Sequence, residues 1–442
     1  MESDKSQKKH MGTTDPVQAA LKMLSQMEVS KKENTSLEEY KKSLLESELI
    51  SSSTFEELKI PEAIIESLHL LGFKNPSIIQ KQSIPEISMK QNVAFQSHSG
   101  SGKTIAFIIG ALMCLDLEKK KTQVIIISPT RDLSAQIFGV LEKFKETVKF
   151  TSFLAHPDRV EDNTQITEQV VVGAPGTIKK ILYRYIDPSC VKMVVLDEAD
   201  ALLGADGGMT TIAAIKKIPK KQIVMFSATF NEEMKKTIPA IAENVKTWYL
   251  EEKDVKPDNI MQFYMEVEER EKIKTLIQIY EMIPVGQSII FVQTREKAAE
   301  VCKMLKEDCF DCELLHGTLE KEERDEVIKK FKNGEIKVLV TTNVLSRGLD
   351  VPQLNMAVNY DLPRLHTGGV DLETYIHRIG RTGRFSRAGV SITFIGGRRD
   401  PEEFMKIQKS LDYNIQFITI AALKTAISEN VKRKTTEEQE GA

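Results

Sequence analysis

The chain has 442 residues, more than one hydrophobic core usually organises, so we expect two or more domains. Its hydrophobic (41%) and charged (28%) fractions are those of a soluble globular protein, and we find neither a bilayer-spanning apolar run nor a secretory signal, which favours an intracellular protein without membrane insertion. The net charge of −3 excludes an overall basic surface, so a nucleic acid would have to bind in a local groove.

The first 53 residues are polar and rich in lysine and serine, and they contain two stretches with helical signals. Asp15 and Pro16 suit an N-cap and a first helical position, and Ser36 with Glu39 has the spacing of a capping box. Either these helices form only transiently in a solvated tail, or one of them is regulatory and docks on the body of the protein. The sequence therefore predicts a partly helical N-terminal extension.

From Phe55 onward, short β-branched runs alternate with longer amphipathic stretches. Continuous apolar runs of this length are typical of parallel strands buried on both faces, and their alternation with helices predicts doubly wound sheets. Two series of five strands are predicted, on either side of a charged segment. The predicted strands are Asn92–Phe95, Val124–Ser128, Val170–Gly173, Met193–Leu196, Ile223–Phe226, Ser288–Val292, Glu313–Leu315, Val338–Thr341, Met356–Asn359 and Val390–Ile395.

The predicted fold class is thus α/β, with two tandem domains that each contain a doubly wound parallel sheet. The two strand series and the shifts in composition set the predicted boundaries. They divide the chain into an N-terminal extension with a candidate regulatory role (1–53), a first α/β domain (54–250), a linker (251–259), a second α/β domain (260–425) and a polar tail (426–442).

A phosphate-binding loop follows the first predicted strand. Residues 97–104 read SHSGSGKT and lie between the run VAF and an apolar helix that begins IAFIIGAL, which is the context that a P-loop requires. Gly100 and Gly102 would let backbone N–H groups approach the phosphates. Lys103 would neutralise the β- and γ-phosphates, and the Thr104 hydroxyl would bind Mg²⁺. The predicted nucleotide-binding residues of the loop are Ser99, Gly100, Ser101, Gly102, Lys103 and Thr104.

An acidic tetrad, DEAD at 197–200, ends the predicted strand MVVL. A carboxylate at the carboxyl end of a buried strand reaches toward the P-loop, and Mg²⁺ prefers hard oxygen ligands. Asp197 is therefore the predicted partner of Mg²⁺. Glu198 is predicted to act as the general base or to orient the attacking water.

These motifs together resemble those of the DEAD-box RNA helicases, and the resemblance extends from about Phe55 to Ile395. It implies two RecA-like domains and an ATP-dependent RNA helicase. The other matching motifs occur in the family's order, at 129–133 (PTRDL), 227–229 (SAT), 291–294 (FVQT), 341–350 (TTNVLSRGLD) and 377–384 (HRIGRTGR).

The resemblance also implies that the nucleotide is ATP. Residues 72–80 (GFKNPSIIQ) match the Q motif, in which Gln80 would read the adenine edge because an amide can both donate and accept. The upstream aromatic Phe55 would stack on the base. By the same resemblance, Gly348 and Asp350 would face the ribose.

Arginines from the second domain are implied to complete the catalytic site. Arg381 and Arg384 match the residues that reach the γ-phosphate, where guanidinium groups stabilise the charge that develops in phosphoryl transfer. Hydrolysis would then require the domains to close. His377 and Arg378 resemble the pair that couples the domains, by sensing the DEAD carboxylates together with Ser227 and Thr229.

RNA is implied to lie across both domains, on the side opposite ATP. Such sites grip phosphates and 2′-hydroxyls, so they select RNA over DNA without reading sequence. Closure on ATP and RNA would bend the strand, separate short duplexes locally or remodel ribonucleoprotein, and hydrolysis would reopen the domains. The implied RNA contacts are Pro129, Thr130, Arg131, Pro175, Gly176, Thr294, Thr341 and Asn343.

Two segments resemble the helicases that export mRNA through the nuclear pore: 168–177 (EQVVVGAPGT), and 358–363 (VNYDLP) with the long insert 364–374 after it. The resemblance implies a protein of cytoplasm and nucleus, placed at the cytoplasmic face of the pore. It also implies a nucleoporin and an activator that uses inositol hexakisphosphate as partners. The family default is a monomer.

Three alternatives stay open. The chain could be a translation-initiation or ribosome-assembly helicase, or a non-enzymatic, ATP-gated RNA clamp, although Lys103 and Glu198 are intact. A DNA translocase is disfavoured by the Q motif. Cys309 and Cys312 form a C-x-x-C, but no second pair or histidine completes a zinc site, so they are assigned no role.

Overall fold

The computed structural model describes most of the chain between Ser51 and Ile427. The described residues are 51, 53–97, 100–156, 165–182, 184–204, 208–230, 232–248, 260–283, 286–342, 354–365, 368–382, 389–411 and 415–427. The predicted linker, and nearly all of the predicted extension and tail, lie outside them. None of the helices within these ranges is long and apolar enough to cross a membrane.

The described residues contain two seven-stranded sheets in which the paired strands run parallel. The first sheet is formed by β1 (Val93–Gln96), β2 (Val124–Ile127), β3 (Ser152–Ala155), β4 (Val170–Gly173), β5 (Met193–Asp197), β6 (Gln222–Ser227) and β7 (Lys246–Trp248). The second sheet is formed by β8 (Ile260–Glu266), β9 (Gln287–Phe291), β10 (Cys312–Leu315), β11 (Val338–Thr341), β12 (Leu354–Asn359), β13 (Gly389–Ile395) and β14 (Gln416–Phe417).

The two sheets share one topology. The first has the strand order β3-β4-β2-β5-β6-β1-β7, and the second has β10-β11-β9-β12-β13-β8-β14. Subtracting seven from each strand number of the second sheet gives the order of the first. The chain therefore contains the same doubly wound arrangement twice, and the predicted α/β class with two tandem parallel sheets is confirmed.

Helices connect the parallel strands, as crossover connections require. Around the first sheet they are α1 (Glu62–Leu70), α2 (Ile78–Ser88), α3 (Lys103–Met113), α4 (Arg131–Glu142), α5 (Pro175–Leu182), α6 (Ala199–Leu203), α7 (Gly208–Ile215) and α8 (Glu232–Thr237). Around the second they are α9 (Lys272–Met282), α10 (Arg295–Glu307), α11 (Lys321–Lys332), α12 (Leu372–Ile379) and α13 (Asp400–Leu411).

Both faces of each sheet are packed. In β2, Ile126 enters one hydrophobic cluster while Ile125 and Ile127 enter the cluster on the opposite face. In β9, Ile290 and Ile289 are divided between two clusters in the same way. Each such buried side chain contributes about 1.5–3 kcal/mol to folding. Because the sheet faces are filled, the polar functional groups are left to the carboxyl ends of the strands.

All ten predicted strands are present, with ends shifted by at most two residues, and four further strands were missed. Three of these, β3, β7 and β14, lie at sheet edges, where short strands with partly exposed side chains lack a continuous apolar run. The fourth, β8, was missed because Gln262 and Tyr264 interrupt its apolar pattern.

Candidate nucleotide and RNA site

The predicted phosphate loop joins β1 to α3. Gly100 and Gly102 have φ angles of +83° and +96°, in the left-handed region that favours glycine. A Cβ at Gly102 would lie 2.6 Å from Gln80 Nε2, so space as well as backbone conformation requires glycine there. Lys103 begins α3, and its Nζ donates to the Ser97 carbonyl oxygen at 2.8 Å. The loop is thus tied across its base, at a helix N-terminus that attracts anions.

Gln80 braces this loop from α2. Its Oε1 accepts from the Ser77 backbone N–H at 2.9 Å, which completes a capping box. Its Nε2 donates to the Gly102 carbonyl oxygen at 3.1 Å. Each amide atom retains capacity for a second hydrogen bond, so the predicted reading of adenine is compatible with this bracing role. Phe55 is fully buried in the adjoining core. Its stacking on a base stays a prediction, and this burial does not favour it.

Two buried carboxylates lie at the end of β5. Burial raises the pKa of Asp197 to about 7, although the positive charge of Lys103 opposes the shift. Glu198 has a φ of +51° and turns the chain from β5 into α6, and its buried Oε2 has no hydrogen-bond partner among the described residues. Ionised carboxylates without partners are costly to bury. The carboxylate oxygens here and the hydroxyl of Thr104, in the first turn of α3, are hard oxygens of the kind that Mg²⁺ prefers.

Asp200 connects the two sheets. Its backbone N–H donates to Ser227 Oγ at 3.1 Å, and its Oδ2 accepts from Thr229 Oγ1 at 2.9 Å. His377 belongs to α12, which packs with the second sheet, and its Nε2 lies 3.4 Å from the same Oδ2. Both side chains are almost fully buried. Glu373 lies beside this pair: one carboxylate oxygen of Glu373, one of Asp200 and a ring nitrogen of His377 are all within 4.8 Å of one another. The sequence-predicted coupling residues Ser227, Thr229 and His377 are therefore brought together around one carboxylate.

Arg378 makes contacts within the second sheet. Its Nη1 donates to Asn359 Oδ1 at 3.1 Å and to the Asp361 carbonyl oxygen at 2.8 Å, and its guanidinium lies 5.0 Å from the centre of the Phe291 ring. Burial lowers the pKa of Arg378 to about 9. These contacts tie α12 to the ends of β9 and β12, so Arg378 positions the helix that carries His377.

The arginines predicted to reach the γ-phosphate are only partly placed. Arg381 is buried, and its Nε donates to the His377 carbonyl oxygen at 2.9 Å, one turn earlier in the chain. Its contact with a phosphate stays a prediction. The predicted site residues that lie outside the described part of the chain are Ser99, Asn343, Gly348, Asp350 and Arg384.

The predicted RNA contacts lie at equivalent places in the two sheets. Thr130 follows β2 and caps α4 by accepting from the Leu133 N–H at 3.2 Å. Thr294 follows β9 and caps α10 by accepting from the Lys297 N–H, also at 3.2 Å. Thr341 differs, because it is fully buried at the end of β11 and its hydroxyl donates to the Thr342 carbonyl oxygen. Among the remaining contacts, Arg131 and Gly176 are exposed, and Pro129 and Pro175 are half-buried.

An ion pair that the sequence did not predict also joins the two sheets. Arg324 Nη2 of α11 lies 2.8 Å from Asp132 Oδ2 of α4, and both side chains are about one-third exposed. Asp132 directly follows the predicted RNA contact Arg131. The sequence did mark Asp132 as part of the PTRDL motif, but the spacing of residues does not indicate which residue of the other sheet pairs with it.

Two family models match this chain. The DEAD/DEAH box helicase model matches residues 77–237, and the helicase conserved C-terminal domain matches residues 271–386. Among the relatives, the ATP-dependent RNA helicase DBP5 of Kluyveromyces lactis is 39% identical over 369 residues, which cover 82% of this chain and 79% of that protein. The chain belongs to the DEAD-box family of ATP-dependent RNA helicases. As a member of this family it binds ATP and is an RNA-dependent ATPase.

Two solved structures of S. cerevisiae Dbp5 resemble this DEAD-box helicase. Dbp5 bound to RNA and ADP BeF3 is 37% identical with a TM-score of 0.81, and the match covers 86% of this chain and 99% of that one. Dbp5 bound to Nup159, Gle1, IP6 and ADP is 34% identical with a TM-score of 0.62, and the match covers 84% and 100%. The chain as a whole thus superposes better on the RNA complex.

Proposed function

We propose that this helicase hydrolyses ATP when ATP and RNA together close its two RecA-like domains, and that closure unwinds RNA locally or remodels ribonucleoprotein. The domains of the proposal span 54–250 and 260–425. The observation that carries it is the 3.4 Å contact between His377 and Asp200. This contact joins the last helicase motif of the second domain to the DEAD tetrad of the first, so it can form only when the domains are together.

The proposed catalytic roles of the first domain are supported by where its motifs lie in the fold. Lys103, at the N-terminus of α3, would hold the β- and γ-phosphates. Asp197 and Thr104 would hold Mg²⁺, which when bound would neutralise charge on the phosphates. Glu198 would orient the attacking water, because its buried Oε2, next to Asp197 in the chain, has an unused acceptor position.

The second domain would supply positive charge on closure. Arg381 and Arg384 are the proposed arginines, and their contribution to phosphoryl transfer is typically a thousandfold or more. Arg381 hydrogen-bonds to the carbonyl of His377, so the residue that contacts Asp200 and the residue that would reach the phosphate move as one unit. ATP hydrolysis would thereby depend on closure.

RNA would lie across the helix N-termini that Thr130 and Thr294 cap, because backbone N–H groups at such ends suit phosphate oxygens. The predicted contacts Arg131 and Gly176 are exposed on the first domain. Thr341 is the weakest of the proposed contacts, because its burial leaves no surface for RNA.

Steady-state ATPase activity with and without single-stranded RNA, for wild type and Glu198→Gln, tests this mechanism. We expect RNA to stimulate turnover in the wild type and the substitution to abolish it while ATP binding survives. Turnover that is flat with RNA in a folded, ATP-binding wild type would instead favour an ATP-gated clamp, and unchanged turnover in Glu198→Gln would remove that residue from the mechanism.

We propose further that the helicase acts in mRNA export, at the cytoplasmic face of the nuclear pore, with a nucleoporin and an activator that uses inositol hexakisphosphate. Support comes from the relative Dbp5, which has been solved with Nup159, Gle1 and IP6. The insert that resembles export helicases is anchored at its start, where Arg364 pairs with Asp400 at 2.6 Å and also with Glu403.

Depletion of the protein from cells, followed by imaging of polyadenylated RNA and by polysome profiling, distinguishes the two biological settings. An export role predicts that polyadenylated RNA accumulates in the nucleus and that the wild type rescues this defect. Loss of polysomes without nuclear accumulation would favour the translation-initiation alternative.

A further inference from the structure

Two buried thiols face each other in the second domain. Cys302 lies in α10 and Cys312 begins the edge strand β10, and each side chain is almost fully buried. The Cys312 thiol donates to Cys302 Sγ across a sulfur–sulfur distance of 3.1 Å. A disulfide has a sulfur–sulfur bond of about 2.05 Å, so the two sulfurs need to approach by only about 1 Å to become bonded.

This pair is not the one that the sequence suggests. The C-x-x-C spacing associates Cys312 with Cys309, but Cys309 is exposed in the turn after α10, where its φ of +64° is in the left-handed region. Its backbone N–H donates to the Lys306 carbonyl oxygen at 3.1 Å, which fixes it in that turn. The fold therefore turns Cys312 inward toward the helix and leaves Cys309 at the surface.

We propose that Cys302 and Cys312 form a modification site, a thiol pair that a hydroperoxide oxidises to an intramolecular disulfide. The Cys302 thiolate attacks the terminal peroxide oxygen, the O–O bond breaks, and Cys302 sulfenic acid and an alcohol or water are formed. Cys312 sulfur then attacks the sulfenic sulfur, the S–O bond breaks, and water leaves with the thiol proton. Two thiols lose two electrons and two protons, and the peroxide gains them.

The surroundings distinguish the two sulfurs. The hydrogen bond from Cys312 lowers the pKa of Cys302, and the charge of Lys306 acts in the same direction. The same hydrogen bond raises the pKa of Cys312. The thiolate is the reactive form of cysteine, and of the two sulfurs it is that of Cys302 that lines an open cleft, so Cys302 is the attacking sulfur and Cys312 the resolving one.

An open cleft gives a small oxidant access to the attacking sulfur. It has a volume of about 450 Å³ and is lined by Cys302, Lys303, Lys306 and Leu314, among others. Beside the pair, Lys306 Nζ lies 3.1 Å from Glu313 Oε1 and ties the end of α10 to β10. The two elements that carry the sulfurs are thus already held together, and disulfide formation requires little further ordering.

The test treats the full-length protein with stoichiometric hydrogen peroxide and then counts free thiols after denaturation. We expect the five cysteines to give three reactive thiols, and a non-reducing peptide map to show Cys302 linked to Cys312. The link should disappear on reduction with dithiothreitol, and the melting temperature of the oxidised protein should be several degrees higher, because a cross-link restricts the unfolded chain.

Cys309→Ser is the matched control, since it removes the exposed thiol and keeps the buried pair. We expect this variant to lose two thiols as the wild type does, whereas Cys302→Ser should lose none to an intramolecular disulfide. Should Cys302→Ser fail to fold, the peptide map of the wild type and of Cys309→Ser still decides the matter. A Cys309–Cys312 link, oxidation of Cys309 alone, or five thiols retained would overturn the proposal.

Discussion

The ion pair between Arg324 and Asp132 is expected to favour the closed arrangement, because it is formed between the two domains. We predict that Arg324→Gln weakens closure and so raises the apparent KM for RNA in the ATPase reaction. The turnover number at saturating RNA should change little, since the substitution does not touch the nucleotide site and excess RNA restores closure by mass action.

The expected size follows from the exposure of the pair. The side chains of Arg324 and Asp132 retain 27% and 35% of their exposed surface, so solvent screens the 2.8 Å contact substantially. Pairs of this kind contribute about 0.2–1 kcal/mol. Since about 1.4 kcal/mol corresponds to a factor of ten, the KM for RNA should rise roughly 1.5- to 5-fold. The effect should shrink as ionic strength increases.

Lys330→Gln is the matched control, because it removes one positive charge from the same helix, where Lys330 pairs with Glu326 inside α11. A double-mutant cycle with Asp132→Asn isolates the contact from the effect of Asp132 on the N-terminus of α4. The reasoning is refuted if Arg324→Gln and Lys330→Gln raise the KM equally, or if the effects of Arg324→Gln and Asp132→Asn simply add.

Three further predictions concern the nucleotide site. Gln80→Ala should lower the free energy of unfolding by about 1–2 kcal/mol in chemical denaturation, because the Ser77 N–H and the Gly102 carbonyl both lose a buried partner. Gly102→Ala should weaken ATP binding in a nucleotide titration more than Gly100→Ala does, since both have positive φ but only at Gly102 would the Cβ meet Gln80; equal losses would contradict the steric account. The pKa of Asp197 is raised from an ordinary 3.8 to about 7, so the folded protein binds more protons than the unfolded chain between these values, and stability is lost as the pH rises through that window. In the absence of nucleotide, the melting temperature of Asp197→Asn minus that of the wild type should therefore increase from pH 5 to 7 and stay level above pH 7. A difference in melting temperature that is the same at every pH would contradict the raised pKa.

The central strands were predictable because they are buried on both faces, so each of them is a continuous apolar run in the sequence. β2 (VIII) and β4 (VVVG) are of this kind. The edge strands β3, β7 and β14 lack such an apolar run, since one side of each has no neighbouring strand and its side chains are partly exposed. Their positions become evident only when the strand order is known.

The site was predictable in its residues and less so in their contacts. The P-loop and the DEAD tetrad are local patterns, so the sequence alone placed Lys103 after the carboxyl end of β1 and Asp197 at that of β5. The pairing of Arg324 with Asp132 and of Cys302 with Cys312 depends on how distant segments pack, which no local spacing encodes. Gln80 shows a third case, where the motif indicated a ligand contact but not the hydrogen bonds that brace the loop.

The most direct test of the account is the distance between the domains, measured by electron spin resonance with labels at Ala135 and Glu323. Both positions are exposed, and they lie close to Asp132 and Arg324, the two residues of the cross-domain ion pair. We predict that a short-distance population dominates only when RNA and a non-hydrolysable ATP analogue are both present. A distance distribution that stays the same with neither ligand, with one and with both would contradict closure as the step that couples RNA to ATP hydrolysis.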